Sequence, residues 1–234
     1  MNTTDKSFEF DYPRTYHLEF SPGVQSDDKI QTNYNIFQGK EVVITEKLDG
    51  ENTTILREGF HARSLDSPMN YTRSWIKVLH SIIGHEIPEK WRFCGENVNY
   101  FHSINYDDLE SFFYLFSIWD ENNNRLHYDE TVEWAKMLDL AMPRVFDRGI
   151  FDLKRIEALS KEIDTDKVEG FVVSLVEPIH YSQFRNATVK WVRANHIQPN
   201  GNGDDDHWLK STYPNLIGKD KVLKPEIMSY YTKR

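Results

Sequence analysis

The chain has 234 residues, a net charge of −9, 39% hydrophobic and 14% aromatic residues, and a single cysteine, Cys94. That length and composition suit one domain with a sizeable core and argue against disorder, and one cysteine excludes a disulfide framework or a four-cysteine zinc site. No stretch is apolar over membrane-spanning length and the N-terminus lacks the apolar segment of a secretory signal, so the expected location is the cytoplasm, with no membrane partner.

In chain order, β-branched and aromatic runs predict strands at 41–46, 52–56, 92–95, 111–119, 169–176 and 187–192. A first helix is expected over 71–83, with Trp75, Val78, Leu79, Ile82 and Ile83 on its inner face. A second follows Asp129 as N-cap, with Val132, Ala135, Leu138 and Met137 inward. A third covers 152–163, with Ile156, Leu159 and Ile163 inward. Residues 199–206 read as an acidic loop, and 207–234 as a partly helical tail broken by Pro214 and Pro225. Strands and helices mix without regular alternation, which predicts an α+β fold with mostly antiparallel sheets flanked by helices. The expected division is a body over 1–198 and a tail over 199–234. Charge is uneven: residues 210–234 carry +4 and the rest −13, so a local basic region rather than the whole chain is the candidate polyanion surface.

The segment Glu46-Lys47-Leu48-Asp49-Gly50-Glu51-Asn52 holds the densest chemistry. An apolar strand runs into a lysine, which is costly at a buried strand end unless it has a task. Gly50 permits a sharp turn directly after it. A partly desolvated lysine with a lowered pKa is a competent nucleophile. The competing interpretation is a hairpin corner with an exposed lysine. The nine histidines lack zinc-ligand spacing and read as structural or surface groups.

Farther along come Arg63-Ser64, Phe93-Cys94-Gly95-Glu96-Asn97, Phe113-Tyr114-Leu115-Phe116, Val168-Glu169-Gly170-Phe171 and Val189-Lys190-Trp191-Val192. This ordered set, spanning about 40–193, resembles the covalent nucleotidyltransferases, the superfamily of polynucleotide ligases and capping enzymes. Asn52, five residues after Lys47, makes it most similar to RNA ligases of the RNA-ligase-2 type. The opening Tyr12-Pro13-Arg14-Thr15-Tyr16-His17-Leu18, with Ser21-Pro22-Gly23 and Asp27-Asp28, is similar to the lead-in of small phage and bacterial RNA ligases.

The resemblance implies an ATP-grasp-like adenylation domain over 1–198 and an ATP-dependent RNA ligase of a bacterial or phage-infected cell. Lys47 would attack the α-phosphorus of ATP and become a lysyl-AMP. AMP would pass to an RNA 5′-phosphate, and a 3′-hydroxyl would then displace it. Asp49 would orient or tune Lys47. Arg63 and Lys190 would clamp phosphates, Glu96 would hold the ribose and Phe116 would stack on adenine. Glu46 and Asn52 would line the nucleotide pocket. Glu169 would organise Mg²⁺, with Mn²⁺ as a substitute.

Two features depart from the pattern. The fifth motif offers one lysine where many relatives have two, leaving the second role to Arg185 or Arg193, and the aromatic motif ends Phe116-Ser117 rather than in an acid. The residues after Val192 are too few for the OB-fold that DNA ligases and capping enzymes place there, which favours the RNA ligase reading over those two. RNA grip then falls to the basic 185–234 region or to a partner protein. The alternatives are a non-catalytic nucleotide- or RNA-binding module and a nucleotidyltransferase that modifies ends without sealing them.

Overall fold

The computed structural model describes residues 10–67, 71–194 and 214–228. Its strands are β1 (Tyr16–His17), β2 (Glu41–Lys47), β3 (Glu51–Leu56), β4 (Gly59–Ala62), β5 (Arg92–Asn97), β6 (Phe113–Trp119), β7 (Asn124–Arg125), β8 (Val145–Ile150), β9 (Gly170–Leu175), β10 (Ile179–His180) and β11 (Thr188–Val192). They form a five-stranded sheet ordered β1-β11-β9-β2-β8 and a six-stranded sheet ordered β10-β7-β6-β5-β3-β4. Every strand pair is antiparallel except β1 with β11. The helices are α1 (Ser74–Ile83), α2 (Tyr128–Met137), α3 (Leu153–Glu162) and the single turn α4 (Phe184–Ala187). This is the expected α+β class.

Alternation along the five-stranded sheet separates core from cleft. Val42 and Ile44 on β2, Phe171, Val173 and Leu175 on β9, and Val189 and Trp191 on β11 join one apolar cluster. The intervening Val43, Thr45, Lys47, Val172, Ser174, Thr188 and Lys190 line a cleft on the other face. In the six-stranded sheet, register slips between Cys94 and Gly95, so that Ser117 faces Cys94, Leu115 faces Gly95, and Phe116 is the extra residue of a bulge. Phe113 and Leu115 turn into the second core, Ile118 rejoins it after the slip, and Phe116 is released toward the cleft.

Five strands, β1, β4, β7, β8 and β10, fall outside the sequence prediction. Those of two residues leave no periodicity to read, and β8 is an edge strand carrying Asp147, Arg148 and Gly149, with Arg148 paired to Glu41 (3.0 Å) and Asp129 (2.6 Å) in solvent. The inner face of α1 is also rotated from the expected one. Trp75, Ile76, Leu79 and Ile83 are buried, whereas Val78 is exposed and Ile82 only half-buried. In α2 the N-cap is His127, not Asp129: its ring accepts from the Asp129 N–H (3.2 Å) while Glu130 accepts from the His127 N–H (3.1 Å). Thr131 and Ala135 are buried there, and Met137 is exposed. Helix α3 starts as expected, with Asp152 accepting from the N–H groups of Lys154 (2.9 Å) and Arg155 (3.4 Å).

Residues 214–228 pack back onto the connection between β5 and β6. The Leu109 N–H donates to Leu216 O (3.1 Å), Gly218 N–H donates to Leu109 O (2.8 Å), and buried Asn215 bridges Tyr106 N (3.0 Å) and Val98 O (2.8 Å). Leu223 and Met228 complete the second core. The expected acidic loop at 199–206 and the segment starting at His207 and Trp208 lie outside the described residues.

Candidate active site

The two sheets bound a cleft of about 1360 Å³. The chain enters it on β2, turns at 48–50 and leaves on β3, so one short segment places Lys47 on one wall and Asn52 on the other. Gly50 is required at the turn: a Cβ there would lie 2.4 Å from Asn97 O. Gly170, opposite Lys47 in register, is required for the same reason, since a Cβ would lie 2.0 Å from Trp191 O. These close approaches bring Glu169 and Lys47 together from positions 122 residues apart, with Lys47 Nζ donating to Glu169 Oε2 at 2.6 Å. The Glu169 side chain is fully buried and that of Lys47 is 25% exposed.

The electrostatics reverse one expectation. Burial does act to lower the Lys47 pKa, but Glu169, Glu96, the Glu169 hydrogen bond and Asp49 together outweigh it, and the net shift is upward. Lys47 therefore rests as an ammonium, not as the depressed-pKa amine expected from its strand-end position. The perturbation appears instead on its acidic neighbours. Burial pushes Glu169 up to about 7 against the pull of Lys47, and Glu96 up to about 8, with Glu169 and Asp49 adding repulsion.

Asp49 is held by the loop over 102–106. Its Oδ2 accepts from Ser103 N (2.7 Å), Ser103 Oγ (2.7 Å) and Ile104 N (2.9 Å), while its N–H donates to Tyr106 Oη (2.9 Å). Burial opposes ionisation of Asp49, but Ser103 and nearby cations prevail and its pKa is lowered. Asp49 thus ties the 102–106 loop to the turn after Lys47 and acts on Lys47 through charge.

Asn52 and Glu96 are cross-strand partners in the second sheet, and the buried Asn52 Oδ1 has no hydrogen-bond partner among the described residues, an acceptor left for a ligand. Phe116 is half-buried, with Tyr12 packed edge-on against it at 5.3 Å between ring centroids. Arg63 stands at the cleft mouth, Nε donating to Tyr12 O (3.2 Å). Glu46 lies at the cleft edge and pairs with Arg144 (3.2 Å). Lys190 is on an inner strand, not an exposed edge, with its side chain 14% exposed. Arg185 and Arg193 both line the cleft, and Arg193 is anchored by Nη1 to Thr165 O (2.8 Å). The floor is braced by buried Arg125, whose guanidinium bonds Ser174 Oγ, Leu175 O and Glu177 O and so ties β7 of one sheet to the end of β9 in the other.

Sequence reasoning assigned no role to His17 or Asp28, although the lead-in containing them was singled out. The structure sets both beside Lys190. A two-residue strand and a loop aspartate carry no pattern that would have marked them.

For a divalent cation, the cleft offers carboxylate oxygens from Glu46, Glu96 and Glu169 and no thiolate. Among the described residues there is no group of three or more ligating side chains placed to hold a metal. One or two carboxylates completed by phosphate and water is the donor set a hard cation such as Mg²⁺ accepts, so the residues fit a cation that arrives with a phosphate ligand.

A family model described as RNA ligase matches residues 40–192. No curated protein matches the chain. Among solved structures, an archaeal ATP-dependent RNA ligase superposes with a TM-score of 0.56 at 15% identity, over 78% of this chain and 48% of that one. A Naegleria gruberi RNA ligase mutant solved with ATP and Mn gives 0.50 at 18% identity, over 68% and 52%. A putative ATP-dependent DNA ligase from Aquifex aeolicus gives 0.52 at 18% identity, over 79% and 50%. At these identities the likeness is one of fold, and the chain spans about half the length of the structures it matches.

Proposed function

Because the chain belongs to the RNA ligase family, we propose that it is an ATP-dependent RNA ligase that joins 5′-phosphate and 3′-hydroxyl ends through a lysyl-AMP at Lys47. One observation carries this reading. Lys47, on one wall of the cleft, is hydrogen-bonded at 2.6 Å to a fully buried carboxylate, with Lys190, Arg63 and Arg193 lining the same cleft.

An ammonium is not a nucleophile, so the first step needs a proton acceptor. Glu169 touches Nζ, and burial has raised its proton affinity to a pKa of about 7. In the proposed step Lys47 Nζ transfers one proton to Glu169 and bonds to the α-phosphorus as the bond to pyrophosphate breaks, and the second proton lost on forming the phosphoramidate passes to the departing pyrophosphate. Lys190 and Arg63 bear the charge on the phosphates. A divalent cation beside Glu96 would add positive charge that favours deprotonation of Lys47 and neutralises the departing pyrophosphate. Phe116 offers the base a ring face, and Glu96 and Asn52 offer the ribose acceptors. Asp49 keeps the 102–106 loop against the turn. AMP then passes to an RNA 5′-phosphate, and attack by the 3′-hydroxyl seals the strand and releases AMP.

The test is incubation with Mg²⁺ and α-labelled ATP, followed by denaturing electrophoresis. Wild type, stripped beforehand with pyrophosphate, is expected to carry label, and Lys47→Ala to carry none. Folded wild type without label would overturn the lysyl-AMP step. Label that never moves to a 5′-phosphorylated RNA, or adenylated RNA that is never joined, would limit the activity to the steps seen.

A further inference from the structure

Strands β1 and β11 lie parallel, with His17 and Lys190 as register partners, so both side chains leave the same face. The Leu18 N–H donates to Lys190 O (2.8 Å) across this pair, and on the other side of β1 the His17 N–H donates to Lys29 O (2.8 Å) and the Gln31 N–H to His17 O (2.8 Å). The last two clamp the 28–31 segment beside β1 and deliver Asp28 to the same face. Its Oδ2 accepts from Gln25 N–H (3.1 Å) and lies 3.1 Å from His17 Nε2, while Oδ1 lies 3.8 Å from Lys190 Nζ. The His17 and Asp28 side chains are 0% and 8% exposed.

Behind His17, Ser21 Oγ accepts from the Val192 N–H (2.9 Å) and sits 2.9 Å from His17 Nδ1. Burial and the nearby Lys190 hold the His17 pKa down to about 4, so its ring is neutral near pH 7. Ser21 Oγ also donates to Val192 O (3.4 Å), and the His17 ring turns its Nε2 toward Asp28. At 3.1 Å this approach is a polar contact that props the carboxylate.

The spacing to Lys190 differs in kind from the Lys47–Glu169 bond. At 3.8 Å Asp28 exerts charge without accepting a hydrogen bond, and among the described residues none is donated from Lys190 Nζ. The ammonium is thus held in place with its donors left for an anion. Lys190 needs that support. Burial is the largest influence lowering its pKa, Lys47 and Arg63 lower it further, and Asp28 and Glu169 act against them, leaving it at about 8.

We propose that Asp28, braced by His17, is a positioning residue that keeps Lys190 cationic and aimed into the cleft for the phosphates of ATP; this rests on the adenylylation reading of the cleft. Without the Asp28 charge, Lys190 deprotonates at lower pH and loses its hold on ATP sooner. The charged or titratable groups facing Lys190 are Asp28, Asp27, His17, Lys47, Glu169 and Arg63. All but Asp28 are common to wild type and an Asp28 variant, so the ratio between the two proteins isolates its effect.

The experiment measures the rate of Lys47 labelling against ATP concentration for wild type, Asp28→Asn and Asp28→Glu. For a one-unit fall in the Lys190 pKa, the half-saturating ATP of Asp28→Asn relative to wild type is expected to be within about twofold at about pH 6.5 and to reach roughly tenfold at about pH 8.5, with the saturated rate unchanged. Asp28→Glu, which keeps the charge, is expected to follow wild type and gives a folded comparison if the amide variant proves unstable. A deficit in Asp28→Asn that is flat with pH, a loss confined to the saturated rate, or Asp28→Glu behaving as Asp28→Asn would overturn the proposal. ATP binding by equilibrium dialysis reads the same ratio without covalent chemistry. A wild type that binds ATP yet takes no label would sink the adenylylation reading while the Asp28 test still stands.

Discussion

The two sheets contribute opposite kinds of group to the cleft. The sheet containing β2, β9 and β11 supplies cations, each matched to a buried acid: Lys47 to Glu169 at 2.6 Å and Lys190 to Asp28 at 3.8 Å. The sheet containing β3, β5 and β6 supplies Glu96, whose pKa burial raises to about 8, Asn52 with an acceptor unpartnered among the described residues, and Phe116 at a bulge. One wall therefore rests in a compensated state that an incoming polyanion must rearrange. The other is undercompensated and becomes better satisfied when a ligand arrives. Stored electrostatic cost and chemical readiness sit on different walls of one cleft.

The largest effect is expected from Glu96→Gln. The folded-state pKa of Glu96 lies above its ordinary 4.5, so the folded protein holds that proton more tightly than the unfolded chain does. Stability linked to Glu96 is therefore present below about 4.5 and is lost as pH rises to about 8. Unfolding of the ligand-free protein by urea is expected to show Glu96→Gln matching wild type near the acid end of this window. At the alkaline end it should exceed wild type by on the order of 2–4 kcal/mol. No gain there would mean that Lys47 compensates both walls.

Phe116→Ala probes the same wall by packing rather than charge. Loss of a stacking face is expected to weaken ATP binding by about 1–3 kcal/mol, raising the half-saturating ATP roughly five- to 150-fold, with little change in the saturated labelling rate. A fall in the saturated rate alone would place the ring in the chemistry instead of in binding.

The smallest effect is the control outside both walls. Asp152→Ala removes the N-cap of α3 and is expected to cost about 1 kcal/mol in thermal or urea unfolding while leaving labelling unchanged. A loss of labelling there would show that the cleft depends on the whole frame, and the contrast between its walls would lose its meaning.

Much of this was legible in order along the chain. Residues 42–44 announce a buried strand, and Lys47 at its end with Gly50 after it announces a chemical task. Face assignments were less secure: in α1 the sequence pattern favoured Val78, whereas Ile76 is the residue buried. Both are β-branched and apolar, and only the position of the sheet beneath decides between them. Edge strand β8 was illegible because its charges are satisfied in solvent and impose no alternation.

By itself the sequence determined the α+β class, the main strands and the identity and order of the groups that line the cleft, because these follow from local pattern and residue chemistry. Only the tertiary structure decided their charge states and their partners. Lys47 is an ammonium because strand register sets Glu169 beside it from 122 residues away. Phe116 faces the cleft because a bulge re-aims it. Asp28 reaches Lys190 because a two-residue parallel pairing fixes their common face. Each of these depends on desolvation and on distances between segments far apart in the chain, and neither quantity exists before the chain has folded.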